Sequence, residues 1–280
     1  MNYMRILLIG ALCCGGCNIT TILAKSPYEA YIDSAENYVK RERYADAARC
    51  YRESLRINPG SPLNSKIFAN LGVCLTGAGE YTEALEAFDV ALVREPESTS
   101  ILNSRARTWL LMNKPENAMT DLDTSLAIDS LQREPLRMRG QLHMLSHNQA
   151  KAATDFKSLA LNFPDEAWGY AGQAQCLMAG NNYSDAIPLL EKAIEIDDNP
   201  DFITSLATAQ IETEHLQEAK ETLREAIRRH PREASLYIVR AILHTRLYEN
   251  EAAALDKKMA IDLGADPTAV EALLPSRKSR

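Results

Sequence analysis

Two histidines stand at a spacing that metal sites use. His143 and His147 lie four residues apart, which places two imidazoles on one face of a helix. A zinc site needs three or four ligands, and neither a third ligand nor a general base accompanies this pair. His143 is therefore interpreted as a packing residue and His147 as a turn residue. The sequence predicts no metal and no cofactor.

Motifs for catalysis are missing from the sequence as well. It contains no glycine-rich phosphate loop, no Gly-x-Ser-x-Gly and no His-Glu-x-x-His. The pairs Asp121 with Asp123 and Asp197 with Asp198 are interpreted as solvated charge. The net charge of −7 argues against a nucleic-acid partner, because binding to phosphates requires a basic protein surface. We expect a protein with no catalytic residues, a non-enzyme.

Six cysteines are present, three of them in the first 17 residues. Cys74 and Cys176 are interpreted as small packing residues. Cys50 and Cys74 lie on neighbouring predicted helices, so a disulfide between them is conceivable in an oxidising compartment. Spacing does not show that their Cβ atoms face each other, and disulfide geometry is restrictive.

The first 24 residues have the layout of a secretory signal peptide. Arg5 precedes a short apolar run at 6–12, far below the ~20 residues of a membrane-spanning helix. The run ends in Cys13-Cys14-Gly15-Gly16-Cys17, which resembles the cleavage box of a bacterial lipoprotein. The resemblance makes Cys17 the lipid acceptor and 1–17 the signal peptide. Cys14, a weaker acceptor, stands where that family has Leu; a cut near Ala24 or an uncleaved anchor are the alternatives.

Residues 65–98 are the clearest unit of the chain. Leu71, Gly72 and Leu75 share one helical face before a break at 76–79, and Ala84 and Phe88 share a second face. Two amphipathic helices joined by a turn are predicted. Such a pair cannot bury its apolar faces alone and needs neighbours.

The same pattern recurs with a period of about 34 residues. The small first-helix position is Ala35, Gly72, Ala106, Gly140, Ala174, Ala207 and Ala241, and the second-helix alanine is Ala47, Ala84, Ala118, Ala152, Ala186, Ala219 and Ala253. The period and pattern resemble tetratricopeptide repeats (TPRs). The resemblance implies an all-α fold, a right-handed α-solenoid of about seven TPR helix pairs plus a C-terminal capping helix.

The predicted organisation is a tether at 18–27, the superhelix at 28–267, and a capping helix with a basic tail at 268–280. The seven units are 28–61, 65–98, 99–132, 133–166, 167–199, 200–233 and 234–267. Val270, Leu273 and Leu274 are expected to cover the apolar edge of the last unit. There Lys257 replaces an apolar residue, as suits a terminal repeat.

In the TPR family the first helices line a concave face on which ligands bind. Mapped onto this chain, the predicted protein-binding groove consists of Lys66, Asn70, Asn103, Arg107, Arg137, Gln141, Met144, Trp168, Gln175 and Met178. Arg107 and Arg137 would hold a carboxylate of a peptide, or else are ordinary solvated charges paired with Glu134. Met144, Trp168 and Met178 would form an apolar shelf, although Trp168 could instead be a junction residue packed on Phe163.

The family's carboxylate clamp for chaperone tails is not reproduced, because Ile32 and Glu36 stand where it needs Lys and Asn. The resemblance favours a lipid-anchored TPR scaffold or adaptor that mediates protein–protein interactions in the bacterial cell envelope, facing the periplasm. The alternative is a periplasmic chaperone or holdase, or an assembly factor for a pilus or secretion machine. Expected partners are proteins or peptide segments with acidic or C-terminal carboxylate groups, and the membrane through the anchor; a homo-oligomer is possible.

Overall fold

The computed structural model describes residues 25–273. The proposed lipidation site Cys17, the signal peptide and the residues after 273 lie outside this range. Within it the chain forms fifteen helices and no strand. They are α1 (Pro27–Val39), α2 (Tyr44–Ile57), α3 (Asn64–Ala78), α4 (Tyr81–Arg94), α5 (Thr99–Leu111), α6 (Pro115–Ile128), α7 (Arg133–Leu145), α8 (Gln149–Asn162), α9 (Ala167–Ala179), α10 (Tyr183–Ile196), α11 (Pro200–Glu212), α12 (Leu216–Arg229), α13 (Ala234–Arg246), α14 (Asn250–Asp262) and α15 (Pro267–Leu273).

The helices pack as seven successive hairpins, from α1 with α2 to α13 with α14, and each hairpin contacts the next. The all-α solenoid predicted from the repeat is therefore confirmed. Every small residue at the two repeating positions is buried, with the second-helix alanines between 0 and 5% exposed. A side chain without bulk at both positions lets the two helix backbones of a unit approach closely.

Glycine and phenylalanine are matched across two of these hairpins. A Cβ added to Gly72 would lie 2.7 Å from the ring of Phe88, and one added to Gly140 would lie 2.8 Å from the ring of Phe156. Both rings are fully buried. The glycines therefore provide the space that the phenylalanine ring takes in these two units.

Each hairpin turns through a residue in the left-handed region. The seven residues are Glu42, Gly79, Asn113, His147, Asn181, Glu214 and Tyr248, with φ between 55° and 82°. Only Gly79 adopts this conformation without steric cost. The prediction that His147 lies at a helix break is confirmed, since α7 ends at Leu145.

The first helix begins with a cap, and the last helix pair is covered by α15. At the start, Ser26 and Glu29 form a capping box around Pro27, which satisfies the first free N–H groups of α1. At the end, α15 packs on α14, with Val270 buried and Glu271 3.4 Å from the Nζ atom of Lys257. Val270 thus covers the last unit as predicted, and Lys257 gains a partner from α15. Leu274 lies outside the described residues.

Candidate functional site

Two neighbouring cavities open along the first helices of the N-terminal units. One, of about 350 Å³, lies between α3, α5 and α7 and is lined by residues that include Val73, Thr76, Asn103, Arg107, Leu111, Glu134 and Met138. The other, of about 300 Å³, lies between α1 and α3 and is lined by Glu36, Val39, Lys40, Tyr51, Asn70, Val73 and Cys74. Val73 belongs to both. We call the surface formed by these two adjacent cavities the N-terminal groove.

Exposed apolar side chains line the N-terminal groove. Val73 is 45% exposed and Leu111 is 54% exposed. Both residues are on first helices. A further element packed on this face would bury them, and their exposure shows that none of the described elements does so. The groove therefore offers apolar surface to a ligand.

Charge in the N-terminal groove centres on Glu134. Its carboxylate accepts hydrogen bonds from Arg137 Nε at 3.1 Å and from Arg137 Nη2 at 2.7 Å, a bidentate pair within α7. Arg107 Nη2 reaches the same carboxylate at 3.4 Å, and the Arg107 side chain is 61% exposed. Arg137 is thus engaged by its neighbour, whereas most donors of Arg107 face solvent. The three groups together carry one net positive charge.

The predicted amides of the groove differ in accessibility. Asn103 donates its Nδ2 to Gln132 Oε1 at 2.8 Å, and its Oδ1 is buried without a partner. It therefore holds α5 against the α6–α7 junction. Asn70 is exposed and lines the second cavity beside Tyr51. Burial raises the pKa of Tyr51 to about 12. Lys66 is exposed and lines neither cavity.

The C-terminal half of the predicted groove is packed more closely. Gln141, Met144, Trp168, Gln175 and Met178 are all half-buried. The Sδ atom of Met144 lies 3.3 Å from Cys176 Sγ. Trp168 packs edge to face on Phe202, with 4.9 Å between ring centroids, and joins Phe163 in one cluster. Trp168 is thus a junction residue, and more exposed apolar side chains on first helices are those of Val73, Leu111 and Leu145.

A set of buried ion pairs was not predicted from the sequence. In three units an arginine of the first helix makes a bidentate bond with an aspartate 16 residues later in the second helix: Arg105 with Asp121, Arg139 with Asp155 and Arg240 with Asp256. The aspartate side chains are 4 to 8% exposed. These hydrogen bonds raise the pKa of each arginine.

The interpretation of Asp121 as solvated charge is therefore wrong, because the residue is buried and paired with Arg105. Asp123 remains exposed but pairs with Arg139 of the next unit at 2.9 Å. In three units the sequence has an arginine directly before the small first-helix residue and an aspartate 16 residues after that arginine. This pattern could not be identified as part of the repeat from the sequence alone, because other units lack it. In the second unit the same two positions hold Leu71 and Ala87.

His143 is buried, and burial lowers its pKa. Cys50, Cys74 and Cys176 are free, so no disulfide joins Cys50 to Cys74. Burial raises the pKa of the Cys74 thiol to about 11, which keeps it in the unreactive thiol form.

Within residues 25–273, no cluster of three or more His, Cys, Asp or Glu residues is placed to hold a metal ion. In that same range, no helix has the length and hydropathy needed to cross a membrane.

Comparison with known proteins gives a family match over most of the superhelix. A tetratricopeptide-repeat family model matches residues 32–124 and 137–200, and a second one matches 177–243. A structure of a tetratricopeptide repeat protein from Parabacteroides merdae is similar with a TM-score of 0.70 and 24% identity. The match covers 89% of this chain and 97% of that one. At this identity the likeness shows a shared fold.

Curated relatives are similar over parts of their length. The DnaJ homolog subfamily C member 7 homolog of Schizosaccharomyces pombe is 28% identical over 127 residues, which is 41% of this chain and 27% of that protein. The Hsp70-Hsp90 organizing protein 1 of Glycine max is 24% identical over 220 residues, 69% of this chain and 33% of that protein. The chain thus spans about a third or less of these relatives.

Proposed function

The chain belongs to the tetratricopeptide-repeat family, and we propose that it is a non-enzymatic, lipid-anchored adaptor of the bacterial cell envelope. The repeats make it a scaffold for protein–protein interaction. In our proposal the N-terminal groove binds an extended segment of one partner protein, and the anchor at Cys17 keeps the scaffold at a membrane facing the periplasm.

The observation that carries the proposal is that the two cavities adjoin at Val73, which lines both. An extended peptide places alternate side chains on one face about 6.6 Å apart, so one ligand segment can present apolar side chains to both cavities. Exposed Val73 and Leu111 would contact them. A preformed groove costs little reorganisation on binding, which favours affinity for a short segment.

Charge orients the proposed ligand. Arg107 has donors free for a carboxylate, and a guanidinium binds carboxylate through two parallel hydrogen bonds. At the other end of the groove, exposed Glu36 and Lys40 line the same cavity with opposite charges, so that end offers no net attraction for an acidic group. The acidic part of the ligand is therefore expected beside α5 and α7, and its apolar part beside α1 and α3.

Two matched pairs of variants test the groove in a crosslinking pulldown from the native envelope. Val73→Glu alters the groove, while Val93→Glu makes the same change on α4, where Val93 is 84% exposed. Arg107→Glu and Arg49→Glu form the second pair, since Arg49 is exposed on α2. We expect the groove variants to lose the same few partners and the controls to retain them. Loss of the same partners in the controls would contradict the proposal, and a broad partner list in all samples would favour the holdase.

The anchor has its own test. The box at 13–17 supports lipidation of Cys17, and metabolic labelling with an alkyne fatty acid reports it directly. We expect Cys17→Ser to abolish labelling and release the protein from membranes, while Cys14→Ser leaves both unchanged. Persistent labelling of Cys17→Ser would contradict Cys17 as the acceptor.

A further inference from the structure

The second helix of the last unit differs from the other second helices on its outer face. Ala252, Leu255 and Met259 of α14 follow one another at intervals of three and four residues, which aligns them in one stripe. Leu255 is 69% exposed and Met259 is 44% exposed. We call these three residues the α14 stripe.

Earlier units are mostly polar at the positions of the α14 stripe, and none of them is apolar at more than one of the three positions. The position of Leu255 holds Arg49, Glu86, Thr120, Thr154, Pro188 and Glu221, and the position of Met259 holds Glu53, Val90, Thr124, Ser158, Lys192 and Glu225. The position of Ala252 is Asp, Glu, Asn or Lys in all six. Packing within the solenoid does not require apolar residues at these positions. The exposed stripe is therefore a candidate surface for contact with another molecule.

One flank of the stripe carries two opposite charges. Glu251 and Lys258 are seven residues apart, hence on the same side of α14, and both are exposed. Within the described part of the chain neither has an ion-pair partner within 4.0 Å. The flank therefore presents a negative and a positive group, each without a counter-ion, beside an apolar strip.

We propose that the α14 stripe binds the α14 stripe of a second copy of this chain, antiparallel, about a two-fold axis that passes beside Leu255. In such an isologous contact each residue meets a symmetry-related position, and equal flanks face each other. With the helical rise of 1.5 Å per residue, Leu255 meets its own copy. Met259 falls about 1.5 Å along the axis from Ala252 of the second copy, where a small residue leaves room.

The same symmetry pairs the flanking charges. Lys258 lies about 4.5 Å beyond the centre and Glu251 of the second copy about 6 Å beyond it on the same flank, close enough for an ion pair. Two such pairs form, one on each side of the axis. A register shifted by one turn would lose both. Charge complementarity thus selects a second copy in this orientation over an unrelated apolar partner.

The contact is small. It involves one helix from each copy, at the low end of stable protein interfaces, so we expect a dimer that dissociates on dilution. Sedimentation velocity of the full chain over a dilution series measures this association. Cys17→Ser is present in every sample so that no lipid is attached. The expected dimer has twice the monomer mass of 31.1 kDa.

Matched variants test the surface. Leu255→Glu is expected to raise the dimer dissociation constant about tenfold or more. Leu161→Glu places the same charge at a single exposed leucine on α8, 78% exposed, and is expected to dimerise like the parent. A monomeric parent at all concentrations, or equal loss in both variants, would overturn the proposal.

Charge reversal tests the orientation. Glu251→Lys and Lys258→Glu are each expected to weaken the dimer, because each places like charges opposite one another. The double variant Glu251→Lys/Lys258→Glu restores both pairs and should regain the parent's association. Failure of the double variant to recover, after loss in the single variants, would refute the antiparallel register. No loss in the single variants would refute it as well.

Discussion

The buried pair between Arg139 and Asp155 gives a sharp test of how this solenoid is stabilised. Arg139 Nε donates to Asp155 Oδ2 at 2.9 Å and Arg139 Nη2 donates to Oδ1 at 2.7 Å. The aspartate side chain is 4% exposed and that of the arginine is 23% exposed. Asp155→Ala would leave a mostly buried guanidinium with Asp123 as its remaining carboxylate.

The expected cost follows from the burial. Removing one member of a buried pair typically destabilises by about 3–5 kcal/mol, because the other charge stays buried without its partner. Arg139 keeps Asp123 and some contact with water, so we expect about 2–3 kcal/mol for Asp155→Ala.

The chain itself supplies the control. The second unit has Leu71 and Ala87 at the positions of Arg139 and Asp155, and both are buried. The double variant Arg139→Leu/Asp155→Ala copies that unit and should lie within about 1 kcal/mol of the parent, since apolar replacement of a buried pair is often neutral. Urea unfolding followed by circular dichroism measures the stability, and hydrogen exchange localises the change to α7 and α8.

Two results would refute this reasoning. Asp155→Ala with unchanged stability would mean that the pair contributes nothing net. A double variant as unstable as Asp155→Ala would mean that the loss does not come from an uncompensated buried charge.

Three further predictions concern packing, pH and thiol reactivity. Gly72→Ala should destabilise by about 1–2 kcal/mol in urea unfolding, because overpacking against Phe88 outweighs the gain in helix propensity; adding Phe88→Leu should cost less than the sum of the single changes, and additivity would contradict the steric account. Burial lowers the pKa of His143 below its ordinary 6.5, so its neutral form is favoured in the folded state; stability should hold above about pH 6.5 and fall below it, and His143→Leu should reduce that fall. Cys74, with its pKa raised to about 11, should react with a thiol reagent only on unfolding, and rapid labelling of the folded protein would contradict its burial.

The fold was predictable because close packing of two helices requires small residues at fixed positions, and these can be read from the sequence. A small residue at the positions of Ala106 and Ala118 has only one structural reason, the close approach of two helices, and it recurs in every unit. The turn at His147 followed from the same register. Gly72 and Phe88 were both identified as repeat positions from the sequence. Their steric match was not, because it depends on the distance between them.

The candidate site was less predictable, because partner choice among charged side chains depends on distances between helices. Arg107 and Arg137 lie on successive first helices, about one turn apart in the repeat, yet Glu134 binds Arg137 in bidentate fashion and leaves Arg107 largely in solvent. Trp168 shows the same limit for apolar residues. Its place on a first helix suggested a groove, while the edge-to-face contact with Phe202 places it in a junction.

Site-specific photo-crosslinking in the native envelope tests the central claim most directly. A benzoylphenylalanine is placed at Val73 in the groove or at Val93 on the second helix of the same unit, and crosslinked proteins are identified by mass spectrometry. We predict a small, reproducible set of partners from position 73 and none of them from position 93. The same set from both positions, or partners from position 93 alone, would contradict a binding site in the N-terminal groove.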